Sequence, residues 1–439
     1  GMAPARCEPF QARDRYLQAR CPETLVRTYA MHWPNYQRET ARNIRRSPFY
    51  HSLREQGACF TETQGWERPG WYAPEGVAPQ YEYSFGRQNW FEYALEEQRA
   101  ARERVAIVDY SMLGKISVEG SGAEAFLQRV CTNNVAMSCG RIAYTLLLNE
   151  RGGIESDVTV ARYANDRYMV MSSIARTRRD YLWLASLIEP DEQVRLRDET
   201  ASLGVLGVMG PQSRALMAAV TELDVSNEAF PFNRFYDCHI GHAKVTAQRL
   251  SYSGELGWEI MVTPDFAEHV LDRLLSAGAP LGVKLLGSEA LNALRIEKGF
   301  LHWGHDMAYT ESPHQVGLDF TCKTDKSPAF IGREAYLRRK AEASGPYLCA
   351  VKLKDSAPLM HHNEPVLRDG QVVGYVTSGA FSAHFHCAVG LCFIDLPAGA
   401  QGKAAIASGD YTVMIEGVPI AAEVSMQSFY DPLNERMLS

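Results

Sequence analysis

Apolar and polar positions alternate most clearly over residues 144–160, where Tyr144-Thr-Leu-Leu-Leu and Ile154-Glu-Ser-Asp-Val-Thr-Val flank Asn149-Glu-Arg-Gly-Gly. The pattern predicts two strands joined by a short loop. Gly152 and Gly153 free that loop to take positive φ or to approach a ligand closely. On the second strand Ile154, Ser156, Val158 and Val160 share one face, and Glu155, Asp157 and Thr159 share the other. The acidic face has two readings: a solvated edge, or a carboxylate at the mouth of a pocket, working on a proton or a cation.

The rest of the chain is read from the same periodicities. Asn89 as cap and Glu92 at the third helical position open a helix that runs to about Arg104. Strands follow at 105–109 and 113–119, then a short helix at 123–130 and a strand at 167–172. A strand at 201–209 leads into Gly210-Pro-Gln-Ser, which opens another helix. Residues 249–262 read as an apolar strand that carries Glu259. Thr263-Pro264 caps a helix whose apolar stripe is Phe266, Val270, Leu271 and Leu274. Ser288 caps the next helix and Gly299 ends it; Arg295 lies near its buried face and so needs a carboxylate or a ligand anion. Residues 340–347, with Gly345-Pro346, read as a linker. Beyond it, short strands at 347–354, 364–368, 371–377, 387–394, 403–406, 411–415 and 418–424 argue a small antiparallel barrel, with Ser378-Gly-Ala-Phe as a loop at its rim.

Residues 1–80 are different: Trp, Tyr, Arg and Pro are dense and periodicity is weak. They predict an irregular layer packed on another surface. At 439 residues the chain needs more than one core. A net charge of −7 with no basic run gives no nucleic-acid surface. No apolar run approaches the ~20 residues that span a bilayer. Ten scattered cysteines with no CxxC pair suit reduced thiols and a cytoplasmic setting. Gly1 before Met2 reads as an added residue. Gly204, Gly207 and Gly210 lack dinucleotide spacing. His302 and His305 have no third ligand in register, so no metal is expected.

Seven segments, in order, carry a resemblance: Asp109-Tyr-Ser with Leu113-Gly-Lys; Tyr144-Thr with Asn149-Glu-Arg-Gly-Gly-Ile and Asp157; Gly210-Pro-Gln-Ser; Tyr252-Ser-Gly-Glu-Leu-Gly-Trp-Glu-Ile; Leu294-Arg-Ile-Glu; Gly317-Leu; and Phe330-Ile-Gly-Arg-Glu. Together they resemble the folate-binding aminomethyltransferase family, the glycine-cleavage T-protein and its relatives. Arg45-Arg-Ser-Pro, Gly65-Trp-Glu-Arg-Pro and Gly86-Arg-Gln-Asn-Trp-Phe-Glu resemble the join between the flavin and folate halves of dimethylglycine and sarcosine dehydrogenases. The flavin half itself has no counterpart in these residues, so FAD is not carried over.

The resemblance implies an α+β, three-domain clover-leaf around a tetrahydrofolate channel, with a C-terminal antiparallel β-barrel. Residues 1–80 would be the N-terminal extension, 81–340 the folate-binding region of two lobes, and 345–439 the barrel. It implies Asp157 as the carboxylate beside the reactive folate nitrogens and Tyr144 lining the cofactor. Glu259 would hold the pterin edge, Tyr252 and Leu113 would be walls, and Arg295 an outer polar anchor or support. Two departures stand out: Ser156 occupies the first place of the family's acidic pair, and Glu289 stands near the place of a family Arg. The implied activity is tetrahydrofolate-dependent one-carbon transfer from a small N-methylated amine or other methyl donor, with a flavin-dependent dehydrogenase as partner. The alternative is a non-catalytic or regulatory folate-binding subunit docking on such a flavoprotein.

Overall fold

The computed structural model describes residues 8–342, 345–396 and 402–439. Cys7, the Gly1-Met2 start and residues 343 and 344 of the expected linker lie outside the described residues. The 144–160 pattern forms the expected hairpin, Ile142–Leu148 with Ile154–Ala164. It belongs to a five-stranded antiparallel sheet that continues through Arg167–Ser172, Gly114–Glu119 and Arg195–Asp198. Behind it Phe126, Leu127 and Val130 of the helix Ala123–Val130 pack on Val158, Val160 and Ile116.

A second, six-stranded sheet runs Phe235–Ile240, Ala243–Gln248, Gly257–Val262, Gly204–Met209, Ala106–Asp109 and Lys284–Leu285. All its pairings are antiparallel except the last. The helices Ser213–Val220 and Ala267–Gly278 cover one face with Leu216, Met217, Val270, Leu271 and Leu274. The helices Phe91–Glu103 and Ser288–Lys298 pack near its other side through Ala94, Ala101, Ala290 and Leu294. A six-stranded closed barrel is built from Tyr347–Leu353, Cys387–Ile394, Gln371–Ser382, Pro365–Arg368, Tyr411–Ile415 and Val418–Ser425.

Several local expectations give way. Trp90 rather than Asn89 is the cap, without a side-chain bond, and the helix begins at Phe91. Asn89 instead clasps the preceding loop, accepting from the Glu82 amide and donating to Gln80 O. Residues 403–406 lie in the helix Gly402–Ala407, because a Lys-Ala-Ala-Ile run favours helix over strand. Ser378 to Phe381 do not form a rim loop: the strand continues past a bulge at Val376/Ser378 to Ser382, held by the apolar strand Cys387–Ile394. Only Gly257–Val262 of the 249–262 stretch is strand. Phe266 sits in a 3-10 turn and is 38% exposed, off the apolar stripe. Ser288 is the first helical residue; Gly287 is the cap, and its N–H is taken by Glu97 Oε2 at 2.8 Å. The N-terminal segment carries more regular structure than its composition predicts: the helix Asp14–Arg27, the helix Tyr50–Glu55, and a three-stranded sheet of Arg45–Arg46, Trp66–Tyr72 and Ala58–Thr63. Among the described residues no helix is long and apolar enough to cross a membrane.

Candidate active site

The hairpin register puts Tyr144 opposite Thr159 and Leu146 opposite Asp157, so Tyr144 and Asp157 are diagonal neighbours on one face. A long side chain spans that diagonal. The Tyr144 hydroxyl donates to Asp157 Oδ2 at 3.1 Å. The turn beside them is forced by close contacts, since a Cβ on Gly153 would lie 1.9 Å from Tyr309 O. Asn149 threads this turn, donating to Glu155 and to Tyr309 O and accepting from the Gly153 amide.

Asp157 is surrounded by protein yet keeps some accessible surface. Burial pushes its carboxyl up to about 6. The Tyr144 hydroxyl works against that shift, Asp180 adds to it, and Arg176 opposes it. Ser156 points to the opposite face and donates to Asp180 Oδ2 at 2.6 Å, alongside Ser172 at 2.5 Å. Asp180 thus supplies a negative charge behind Asp157 even though position 156 is a serine. Arg176, 3.5 Å over the Trp303 ring, faces Asp180 at 3.4 Å.

Tyr252 is a neighbour of the hairpin, acting on Tyr144 and feeling Asp157. Its ring stacks on Phe300 at 5.9 Å, and its hydroxyl donates to Leu301 O at 3.0 Å. Burial pushes its hydroxyl up to about 12; of the nearby charges Arg295 and Arg68 lower it, while Asp157 and Asp306 raise it. Leu113 packs in the same cluster as Tyr252 and Tyr110, on the turn that follows Asp109. Its carbonyl, with those of Ser111 and Thr200, holds the Lys115 ammonium at 2.8–3.1 Å.

Glu259 lies mid-strand between Gly207 and Gln248. Among the described residues its carboxylate has no hydrogen-bond donor, and burial pushes it up to about 7 against the pull of Lys115. The Tyr110 hydroxyl, also buried and unpartnered, feels both Glu259 and Tyr252. Gly207 is what admits the Tyr110 ring, for a Cβ there would come within 2.6 Å of it.

Five of the six expected residues lie near one another: Tyr144 bonds Asp157, both interact with Tyr252, Tyr252 shares a cluster with Leu113, and Glu259 is linked to Tyr252 through Tyr110. Arg295 does not offer itself to a ligand. Its guanidinium is filled by Asn292 Oδ1, Phe300 O, Asp306 Oδ2 at 2.5 Å and Ser378 Oγ at 2.9 Å, so it serves as a support joining helix to barrel. Sequence reasoning passed over Tyr110, although it stands inside a quoted segment, because nothing in its spacing separates a pocket tyrosine from a core one. His302 also lies deep beside Arg295, and burial holds its imidazole neutral, near 3.

Three family models match the chain. The GCVT N-terminal domain matches residues 49–326, the glycine cleavage T-protein C-terminal barrel domain 347–431, and the FAD dependent oxidoreductase central domain 1–47. The chain is 39% identical to 4-methylaminobutanoate oxidase (formaldehyde-forming) of Paenarthrobacter nicotinovorans, over 98% of this chain and 52% of that protein. It is 32% identical to mitochondrial sarcosine dehydrogenase of Homo sapiens, over 96% of this chain and 50% of that protein. The chain thus spans about half the length of these two relatives. An aminomethyltransferase of Halothermothrix orenii is 28% identical and is covered over 98% of its own length. The crystal structure of glycine cleavage system aminomethyltransferase T from Bartonella henselae superposes with a TM-score of 0.74 at 22% identity, over 89% of this chain and 99% of that one. That likeness shows the clover-leaf fold with its C-terminal barrel.

Proposed function

The chain belongs to the glycine cleavage T-protein family, and on that premise we propose that it transfers a one-carbon unit to tetrahydrofolate from an N-methylated or related small substrate. The observation that carries this reading is a single one. A carboxylate with a raised pKa, Asp157, acts on the Tyr252 hydroxyl, and an unpartnered buried carboxylate, Glu259, acts on the Tyr110 hydroxyl that Tyr252 also reaches. A buried acid without donors is costly unless a ligand satisfies it. The amide-like N–H and amino group of a pterin are such donors, so the residues present fit tetrahydrofolate.

When bound, tetrahydrofolate supplies the nucleophilic nitrogen that takes up the carbon. The protein's own part is positioning and charge. Tyr144 fixes the Asp157 carboxylate through Oδ2, leaving Oδ1 to steady a cationic donor or to take a proton. Tyr252 and Leu113 wall the space, and Glu259 with Tyr110 orients the far edge of the ligand. Holding donor and acceptor at reaction distance supplies roughly 7–11 kcal/mol of the barrier. A positioned acid–base group adds ~10²–10⁴-fold.

Two relatives are named for the methylamino compounds 4-methylaminobutanoate and sarcosine, and the first is formaldehyde-forming. The match of residues 1–47 to an oxidoreductase domain supports a flavin-dependent dehydrogenase as the source of the carbon. Isothermal titration with tetrahydrofolate and 5-methyl-tetrahydrofolate tests the site: heat at micromolar ligand is expected, and silence at millimolar ligand removes the reading. Asp157→Asn is expected to abolish turnover while folate affinity stays within about tenfold; unchanged turnover removes Asp157 from the mechanism.

A further inference from the structure

One cation beside the site is left without a counterpart. Arg68 stands on the strand Trp66–Tyr72 of the N-terminal sheet. Its Nε donates to Thr61 Oγ1 at 3.2 Å. Its terminal nitrogens have no hydrogen-bond acceptor among the described residues, and no carboxylate lies within ion-pair distance of them. Protein surrounds the side chain, which still keeps accessible surface. The groups that act on it are Glu289, Tyr81 and Tyr252, and Arg68 in turn acts on His302. Tyr252 is near enough to feel both Arg68 and Asp157, with opposite sign, so Arg68 and Asp157 share that tyrosine as a neighbour.

Its position is built, not incidental. A Cβ on Gly287 would meet Gly70 O at 2.1 Å, so the strand and the start of the helix Ser288–Lys298 touch backbone to backbone. Glu97 bolts them together, accepting from the Tyr72 amide at 2.9 Å and the Gly287 amide at 2.8 Å. Gly70 leaves room for the Tyr81 hydroxyl, which a Cβ there would approach to 2.1 Å. That hydroxyl donates to Glu289 Oε1 at 2.9 Å. The result holds a free guanidinium and a tethered carboxylate near one another without contact.

We infer that Arg68 and Glu289 form a carboxylate-binding subsite of the one-carbon chamber, taking a ligand that carries a carboxylate close to an N–H or cationic nitrogen. A guanidinium pairs two N–H donors with the two oxygens of a carboxylate, and Glu289 suits the neighbouring nitrogen. This rests on the folate reading above. Two ligands share the chemistry: the glutamate tail of tetrahydrofolate, and a one-carbon donor that is itself an N-methylated amino acid.

Titration calorimetry on wild type and Arg68→Gln separates them, using tetrahydrofolate, tetrahydropteroate (which lacks the glutamate), N,N-dimethylglycine and dimethylaminoethanol (which lacks the carboxylate). A tail site makes Arg68→Gln weaken tetrahydrofolate about tenfold or more while tetrahydropteroate is unmoved. A donor site makes it weaken N,N-dimethylglycine by the same factor, with both pterins and dimethylaminoethanol unmoved. Unchanged affinities for tetrahydrofolate and N,N-dimethylglycine overturn the subsite. If Arg68→Gln fails to fold, Arg68→Lys decides. Loss of the paired contact then lowers one of the two affinities at least about threefold, and wild-type values for both overturn the inference. Wild-type protein that binds neither pterin sinks the folate reading itself, and the subsite with it.

Discussion

Asp157 shows how much of a residue's meaning comes from its neighbours. Alternation along the strand assigned it a face, but whether that face met water was undecided. Burial, with Asp180 behind it and against the pull of the Tyr144 hydroxyl, makes it a carboxyl near 6 in the fold against an ordinary 3.8. A raised carboxyl favours the protonated folded state, so folding stability falls as pH rises from about 4 and levels off above about 6. Asp157→Asn removes that penalty. Above pH 7 it is expected to raise stability by on the order of 2 kcal/mol, with little gain near pH 4, as denaturant melts at the two pH values will show. Turnover in the wild type should climb through pH 6 as Asp157 ionises. Glu259→Leu takes away the lone acceptor at the far end of the pocket. Folate affinity should fall by about 1–3 kcal/mol while the thermal midpoint holds or rises; an unaltered affinity would place the pterin elsewhere.

At the scale of the element, the hairpin and the strands Arg167–Ser172 and Gly257–Val262 were legible because side-chain alternation is a local property. Their ends and caps were less so. Asn89 looks like a cap by type, yet its amide is spent on a loop that only the fold brings near. Ser378-Gly-Ala reads as a turn, but a long apolar partner strand holds it extended. The hairpin turn itself offers a test. Gly153→Ala would drive a methyl into Tyr309 O, costing about 1–3 kcal/mol. It would also shift the strand that carries Asp157, so thermal midpoint and turnover should fall together.

Across the whole molecule, buried ion pairs do the joining. Arg102 of the helix Phe91–Glu103 reaches Glu297 at 2.6 Å and Glu255 at 2.9 Å and lies 3.7 Å over the Tyr430 ring, while Ser382 of the barrel bonds Glu297. Arg102→Met strands two buried carboxylates and should cost about 3–5 kcal/mol, measurable as a drop in denaturation midpoint; a neutral result would show that the network is dispensable. The linear chain determined the periodic elements, the order of the seven segments, and with them the family and the clover-leaf, because these depend on neighbours a few residues apart. It also placed Asp157 and Glu259 on apolar strands. Only the tertiary structure decided that Asp157 neighbours Tyr252 and Glu259 neighbours Tyr110, that Arg295 is spent on Asp306, and that the terminal nitrogens of Arg68 meet no acceptor among the described residues. Burial and pairing are set by groups tens to hundreds of residues away, and no local pattern records them.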